Sequence, residues 1–179
     1  MVNESSTPGT RPVAVVVGPP GAGKTTVGQA LAARLGVAFH DVDAAIEAAQ
    51  GRSISDIFVD DGESAFRDLE RAEVARALDA EAGVVSLGGG AVMDPLTEHA
   101  LAGHTVVFLD VAIADASKRI GFDRSRPLLS VNPRASLVRM MNDRRPTYER
   151  VATVRVDTAG RSPEEVVDVV VDALEAAGA

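Results

Sequence analysis

Nine residues constrain this chain more than any others. Gly18-Pro19-Pro20-Gly21-Ala22-Gly23-Lys24-Thr25-Thr26 matches the pattern G-x-x-x-x-G-K-[ST]. The run before it, Val13–Val17, is continuous, apolar and mostly β-branched, and reads as a buried parallel strand. After it, Val27, Leu31 and Leu35 recur at helical spacing until Gly36, which predicts a helix over Lys24–Leu35. Strand, glycine-rich turn and helix in this order make an anion cradle. Glycines let successive N–H groups curl around a phosphate, and the helix N-terminus adds unpaired donors. Lys24 can reach the β- and γ-phosphates, and the Thr25 hydroxyl can ligate Mg²⁺. The expected ligand is a nucleoside triphosphate with Mg²⁺, held by Gly21, Ala22, Gly23, Lys24, Thr25 and Thr26.

The rest of the chain alternates. Short apolar runs at Val37–Val42, Val84–Leu87, Thr105–Leu109 and Thr153–Val156 read as strands. Helical patterns fall at Ala44–Ala49, Glu63–Leu78, Ala112–Arg119, Arg134–Asn142 and Pro163–Ala177, the last with Ser162 as N-cap. This predicts an α/β fold with a central parallel five-stranded sheet and helices on both faces. Aromatic residues are only 3% of the chain, so the core must be Ala, Val, Leu and Ile. The stretch Gly121–Pro133 has no period and reads as a mobile lid, placed at 118–130. Residues 1–12 are polar and read as a flexible tail, leaving 13–178 as a single domain. Cysteine is absent and the three His lack zinc-ligand spacing, which excludes a disulfide scaffold, a cysteine nucleophile and thiolate metal sites. No membrane-length apolar run and no signal-type apolar segment occur, so a cytoplasmic monomer is expected.

Net charge is −8, which argues against non-specific nucleic-acid binding. The charge is uneven, however. Lys118–Arg161 holds one Lys and ten Arg against four acids, a cationic segment suited to small anions or to solvated helix faces. A guanine-reading N-K-x-D is absent, which argues against a GTPase. The apolar strand Val106–Asp110 ends in an acid, which leaves an ATPase open; the other reading of Asp110 is a cap for the following helix.

In open α/β sheets, ligands bind at the carboxyl ends of the strands. Asp41 and Asp43, two apart at the end of strand two, would share one face and aim into one cleft. One suits a Mg²⁺ hydration shell and the other a hydroxyl nucleophile; the alternative for Asp43 is a helix cap. Gly88-Gly89-Gly90 directly after strand three leaves bare backbone for a ligand, with Ser86 just before it. Arg67 lies on the Glu63–Leu78 helix, either facing the cleft or paired with Glu63. Arg126 sits in the lid, and Arg144 ends a helical stretch before Arg145-Pro146. Two Arg from separate elements can clamp a carboxylate.

Together these residues resemble shikimate kinases, of the bacterial small P-loop kinase type. The likeness rests on Gly18–Thr26, Asp41-Val-Asp43, Gly62–Arg67, Leu87–Ala91, Arg126–Leu129 and Arg144–Tyr148, in that order. It implies a three-layer P-loop NTPase fold and phosphorylation of the 3-hydroxyl of shikimate by ATP with Mg²⁺, a step toward chorismate and the aromatic amino acids. It implies phosphate binding by Lys24 and the loop amides, Mg²⁺ at Thr25 with Asp41 beside it, and hydroxyl binding and deprotonation by Asp43. Arg67 and Arg144 would grip the carboxylate, the 88–90 glycines a hydroxyl, Arg126 the γ-phosphate, and Arg119, Arg161 and Pro163 the adenine. A related kinase, such as one for gluconate, and a nucleotide-gated switch remain the competing readings.

Overall fold

The computed structural model describes residues 10–120 and 132–178. Expectations for the tail before Thr10, most of the lid and Arg126 lie outside the described residues. Five strands form one parallel sheet: β1 (Ala14–Val17), β2 (Phe39–Asp41), β3 (Val84–Ser86), β4 (Val106–Asp110) and β5 (Val154–Asp157), in the order β2-β3-β1-β4-β5. The helices are α1 (Lys24–Leu35), α2 (Val42–Gln50), α3 (Ile54–Asp60), α4 (Glu63–Ala80), α5 (Pro95–Ala100), α6 (Ile113–Ile120), α7 (Pro133–Val151) and α8 (Pro163–Gly178), with a 3-10 turn at Ala91–Met93.

Strand periodicity builds three layers. On β1, Ala14 and Val16 face one way, onto Leu31 of α1 and Val166 and Val170 of α8. Val15 and Val17 face the other way, onto Ile46, Ile57, Phe66 and Val74 of α2, α3 and α4. Every β1 residue is buried, as both-sided coverage of a parallel sheet requires. Helix α7 crosses the end of the sheet: Leu137 and Met141 enter the first core, while Tyr148 enters the second.

Several expectations need correction. Val42 and Asp43 are helical rather than extended, because Asp41 ends β2 and caps α2, its Oδ1 accepting from Ala44 N at 3.1 Å. The helices α3 and α5, seven and six residues long, were too short to show a period. Helix α7 does not stop before Pro146 but runs to Val151. The carbonyl that Pro146 leaves without an N–H partner belongs to exposed Asn142, where solvent can reach it. At the flanks of the expected lid, Lys118–Ile120 complete α6 and Asn132 caps α7 through Ala135 N at 3.2 Å. Pro12, placed in the tail, is buried, and Arg11 donates to Gly103 O at 3.4 Å. Among the described residues, no helix is long and apolar enough to cross a membrane.

Candidate active site

Strand β1 lies between β3 and β4, and the chain's crossovers diverge on either side of it. Such a switch point opens a crevice at the carboxyl ends of the strands. Here it is a cavity of about 520 Å³ bordered by Gly21, Gly23, Lys24, Thr25, Thr26, Asp41, Asp43, Ser86, Gly89 and Arg119. The loop Gly18–Gly23 wraps one wall. Gly21 takes φ 79°, and a Cβ there would lie 2.8 Å from Ala116 O, so only glycine fits. Lys24 Nζ donates to Pro19 O at 3.0 Å, which folds the ammonium back over the loop.

Thr25 Oγ1 donates to Asp41 Oδ2 at 3.0 Å. Spending the hydroxyl proton on Asp41 leaves the Thr25 lone pairs for a cation. Mg²⁺ takes few protein ligands and several from water and phosphate, so this pair of oxygen donors fits it. Among the described residues, no group of three or more His, Cys, Asp or Glu could form a protein-only cage.

Asp43 faces the same cavity from the first turn of α2. Its Oδ1 is buried and has no hydrogen-bond partner among the described residues. Burial pushes its carboxyl up to about 6, Glu70 and Asp41 push the same way, and Lys24 opposes them. Ser86 is buried at the cavity edge, in register with Asp41 on β2 and Val16 on β1.

The glycine turn forms the floor opposite the phosphate loop. A Cβ on Gly88 would lie 2.7 Å from Asp43 Oδ1 and 3.0 Å from Glu70 Oε2. A Cβ on Gly89 would lie 3.1 Å from Pro20 Cδ and 3.5 Å from Arg144 Nη1. One on Gly90 would lie 2.6 Å from both Arg67 Nη1 and Nη2. The three absent side chains therefore bring a carboxylate pair, the phosphate loop and two guanidinium groups onto one turn. Arg67 and Arg144, 77 positions apart in the chain, converge there.

Arg67 is held by more than the Glu63 partner that helical spacing suggests. Its Nη2 donates to Glu63 at 3.4 Å, while Nη1 donates to Glu70 at 2.7 Å. Glu70 is only 3% exposed; burial raises its pKa, and Arg67 counters that rise. The Arg67 guanidinium also lies 5.3 Å from the Phe66 ring centroid. A second cavity of about 230 Å³ adjoins the loop and brings together Arg119, Arg161 and Pro163 with Thr158. Arg119 Nη1 donates to Gly21 O at 3.3 Å.

Asp110 does not cap α6, which begins at Ile113. Instead it accepts a bidentate pair from Arg145 at 2.9 and 2.7 Å, and a further pair from Arg155 at 3.0 and 2.6 Å. Sequence reasoning gave no role to Glu70, Arg145, Arg155 or Tyr148. Glu70 carried a signal, the i,i+3 spacing from Arg67; Tyr148 carried only its place in the Arg144–Tyr148 motif.

Comparison with known proteins shows the family. The family model described as shikimate kinase matches residues 20–175. The chain belongs to the shikimate kinase family. It is therefore a phosphotransferase with the P-loop NTPase fold. A shikimate kinase of Thermobifida fusca is 55% identical over 94% of this chain and 98% of the relative. One of Streptomyces coelicolor is 52% identical over 92% and 96%. The solved shikimate kinase of Acinetobacter baumannii in complex with shikimate superposes with a TM-score of 0.88 at 33% identity, covering 92% of this chain and 93% of that one. A gluconokinase of Sinorhizobium meliloti, at TM-score 0.58 and 22% identity, shares the fold alone.

Proposed function

We propose that this shikimate kinase family member transfers the γ-phosphoryl group of ATP to the 3-hydroxyl of shikimate. The product, shikimate 3-phosphate, stands on the way to chorismate and the aromatic amino acids. The observation that carries the reading is the convergence of Arg67 and Arg144 on a turn without side chains, between the phosphate loop and a buried carboxylate oxygen.

The amides of Gly21–Thr26 and the Lys24 ammonium hold the ATP phosphates. Thr25 and Asp41 would hold Mg²⁺, and the ion would supply neutralisation of the phosphate charge. Arg67 and Arg144 grip the acceptor carboxylate, a pairing suited to planar guanidinium groups. Gly88, Gly89 and Gly90 let the acceptor ring approach the backbone. Asp43 accepts the hydrogen bond of the attacking hydroxyl and takes its proton as the new oxygen–phosphorus bond forms and the bond from the γ-phosphorus to the departing ADP oxygen breaks. Arg119, Arg161 and Pro163 flank the adenine, and the family resemblance assigns Arg126, outside the described residues, to the γ-phosphate. The transition state is loose, so positioning and charge neutralisation supply most of the rate. Every described piece of the site comes from one chain, so the proposed monomer would be competent alone, and a net charge of −8 disfavours non-specific nucleic-acid binding; the cytoplasm is the proposed location.

The test is ADP release from MgATP with shikimate, with gluconate and with no acceptor. Turnover confined to shikimate is expected. Turnover with gluconate discards the acceptor assignments, and equal slow hydrolysis in all three points to a nucleotide switch. With shikimate, Arg67→Ala and Arg144→Ala are expected to raise its KM more than tenfold each while MgATP KM stays within twofold.

A further inference from the structure

The glycine turn has a fastening that the reading above does not use. Within the turn, Ala91 N donates to Gly88 O at 3.1 Å and Met93 N donates to Gly90 O at 3.0 Å. These two bonds only close the local 3-10 coil. The carbonyl between them, on Gly89, points elsewhere and accepts the hydroxyl of Tyr148 on α7. Tyr148 is the only tyrosine of the chain and is 1% exposed. Its ring stacks on Phe108 of β4, with centroids 5.2 Å apart and planes 22° apart. The ring thus packs against β4, while its hydroxyl reaches the turn.

Tyr148 stands one helical turn beyond Arg144, on the same face of α7. The hydroxyl bond consequently fixes two things together. It sets the plane of the Gly89–Gly90 peptide, which glycine alone leaves free to pivot. It also sets the distance from that peptide to Arg144, whose Nη1 lies 3.5 Å from the place a Gly89 Cβ would occupy. We propose that the Tyr148 hydroxyl is a positioning group that fixes the gap between the glycine turn and Arg144, and so tunes affinity for the acceptor's carboxylate. Tyr148 does not touch the acceptor in this account; it acts through Gly89 and Arg144. The inference rests on the acceptor site lying at this turn.

Tyr148→Phe keeps the ring and its stacking and removes only the hydroxyl. In steady-state kinetics with each substrate varied, shikimate KM should rise about five- to tenfold, the scale of one lost hydrogen bond that leaves a carbonyl unpaired. MgATP KM and kcat should stay within about twofold. Phe108→Leu is the companion variant, since it loosens the same packing and keeps the hydroxyl; it should lower Tm and leave shikimate KM within twofold. An unchanged shikimate KM in Tyr148→Phe overturns the proposal, and so does an equal rise in both variants, which would trace the effect to packing. Arg144→Ala separates the two levels. If it raises shikimate KM while Tyr148→Phe does not, the positioning role alone fails. If neither variant changes it, the acceptor site itself is misplaced.

Discussion

Asp43 is a buried carboxyl that is costly to the fold, and the role proposed for it can be tested through that cost. Its ordinary pKa is 3.8, and burial with two neighbouring acids moves it to about 6. Between those values the native state binds the proton and the unfolded chain does not, so stability falls as pH rises through that window. Above pH 6 the charged carboxylate is carried at a cost. Asp43→Asn should therefore raise Tm at pH 7.5 by about 2–8 °C, the scale of 1–2 kcal/mol in a domain of this size, while turnover is lost. Calorimetry beside an activity assay checks both halves. In the native enzyme, kcat/KM for shikimate should fall as pH drops through about 6, because protonation removes the acceptor of the hydroxyl hydrogen bond. A pH profile flat between 5 and 8 would separate Asp43 from that role.

At the scale of elements, contiguous signals were legible and distributed ones were not. The bounds of α1, Lys24–Leu35, follow from its apolar spacing and the glycine after it. The capping box of α8 was also legible in part: Ser162 Oγ accepts from Glu165 N at 3.2 Å, and Glu165 accepts from Ser162 N at 2.7 Å. Ser162→Ala should cost about 1 kcal/mol in urea unfolding, with kinetics unchanged. The phosphate loop was legible for the same reason, since its chemistry lies within nine consecutive residues. By contrast, the approach of Arg67 to Arg144, the Glu70 partner and the Tyr148 bond need α4, β3 and α7 to be placed in space first. The end of β2 differs from the expectation because a short run such as Val37–Val42 cannot by itself overrule a good N-cap at Asp41.

The Asp110 cluster belongs to this scale too, because it fastens α7 to the ends of β4 and β5. Burial alone would raise the Asp110 pKa, but the hydrogen bonds and charges of Arg145 and Arg155 outweigh it and hold the carboxyl below its usual range. A depressed carboxyl contributes stability that is present above its unfolded value, near 3.9, and lost as pH falls further. Both guanidinium groups are about half exposed, which weakens the pair. Asp110→Asn should cost roughly 1–2 kcal/mol at pH 7, with the difference shrinking below pH 4. Denaturant midpoints at the two pH values check this, and Mg²⁺-dependent turnover should survive the change.

Across the whole molecule, ligands should stabilise the fold by mass action. At a hundred times its dissociation constant, a ligand adds about 2.7 kcal/mol, or roughly 5–11 °C in Tm here. Shikimate should produce that shift in the native protein and in Lys24→Ala, but not in Arg67→Ala or Arg144→Ala; MgATP should show the opposite pattern. Thermal shift measurements on these variants divide the cavity into its two halves. A single fold can keep those halves apart because the switch point at β1 places the phosphate loop on one side and the glycine turn on the other.

The bare turn has a consequence for inhibitor design. Resistance often arises when a contact residue is exchanged for a larger or differently shaped one. At Gly88 and Gly90 an added methyl group would meet the Asp43 carboxylate or the Arg67 guanidinium at 2.7 Å or less, so one of those side-chain ends would have to shift. A compound that gains its affinity from the backbone of this turn should therefore lose less to such exchanges than one that relies on side chains.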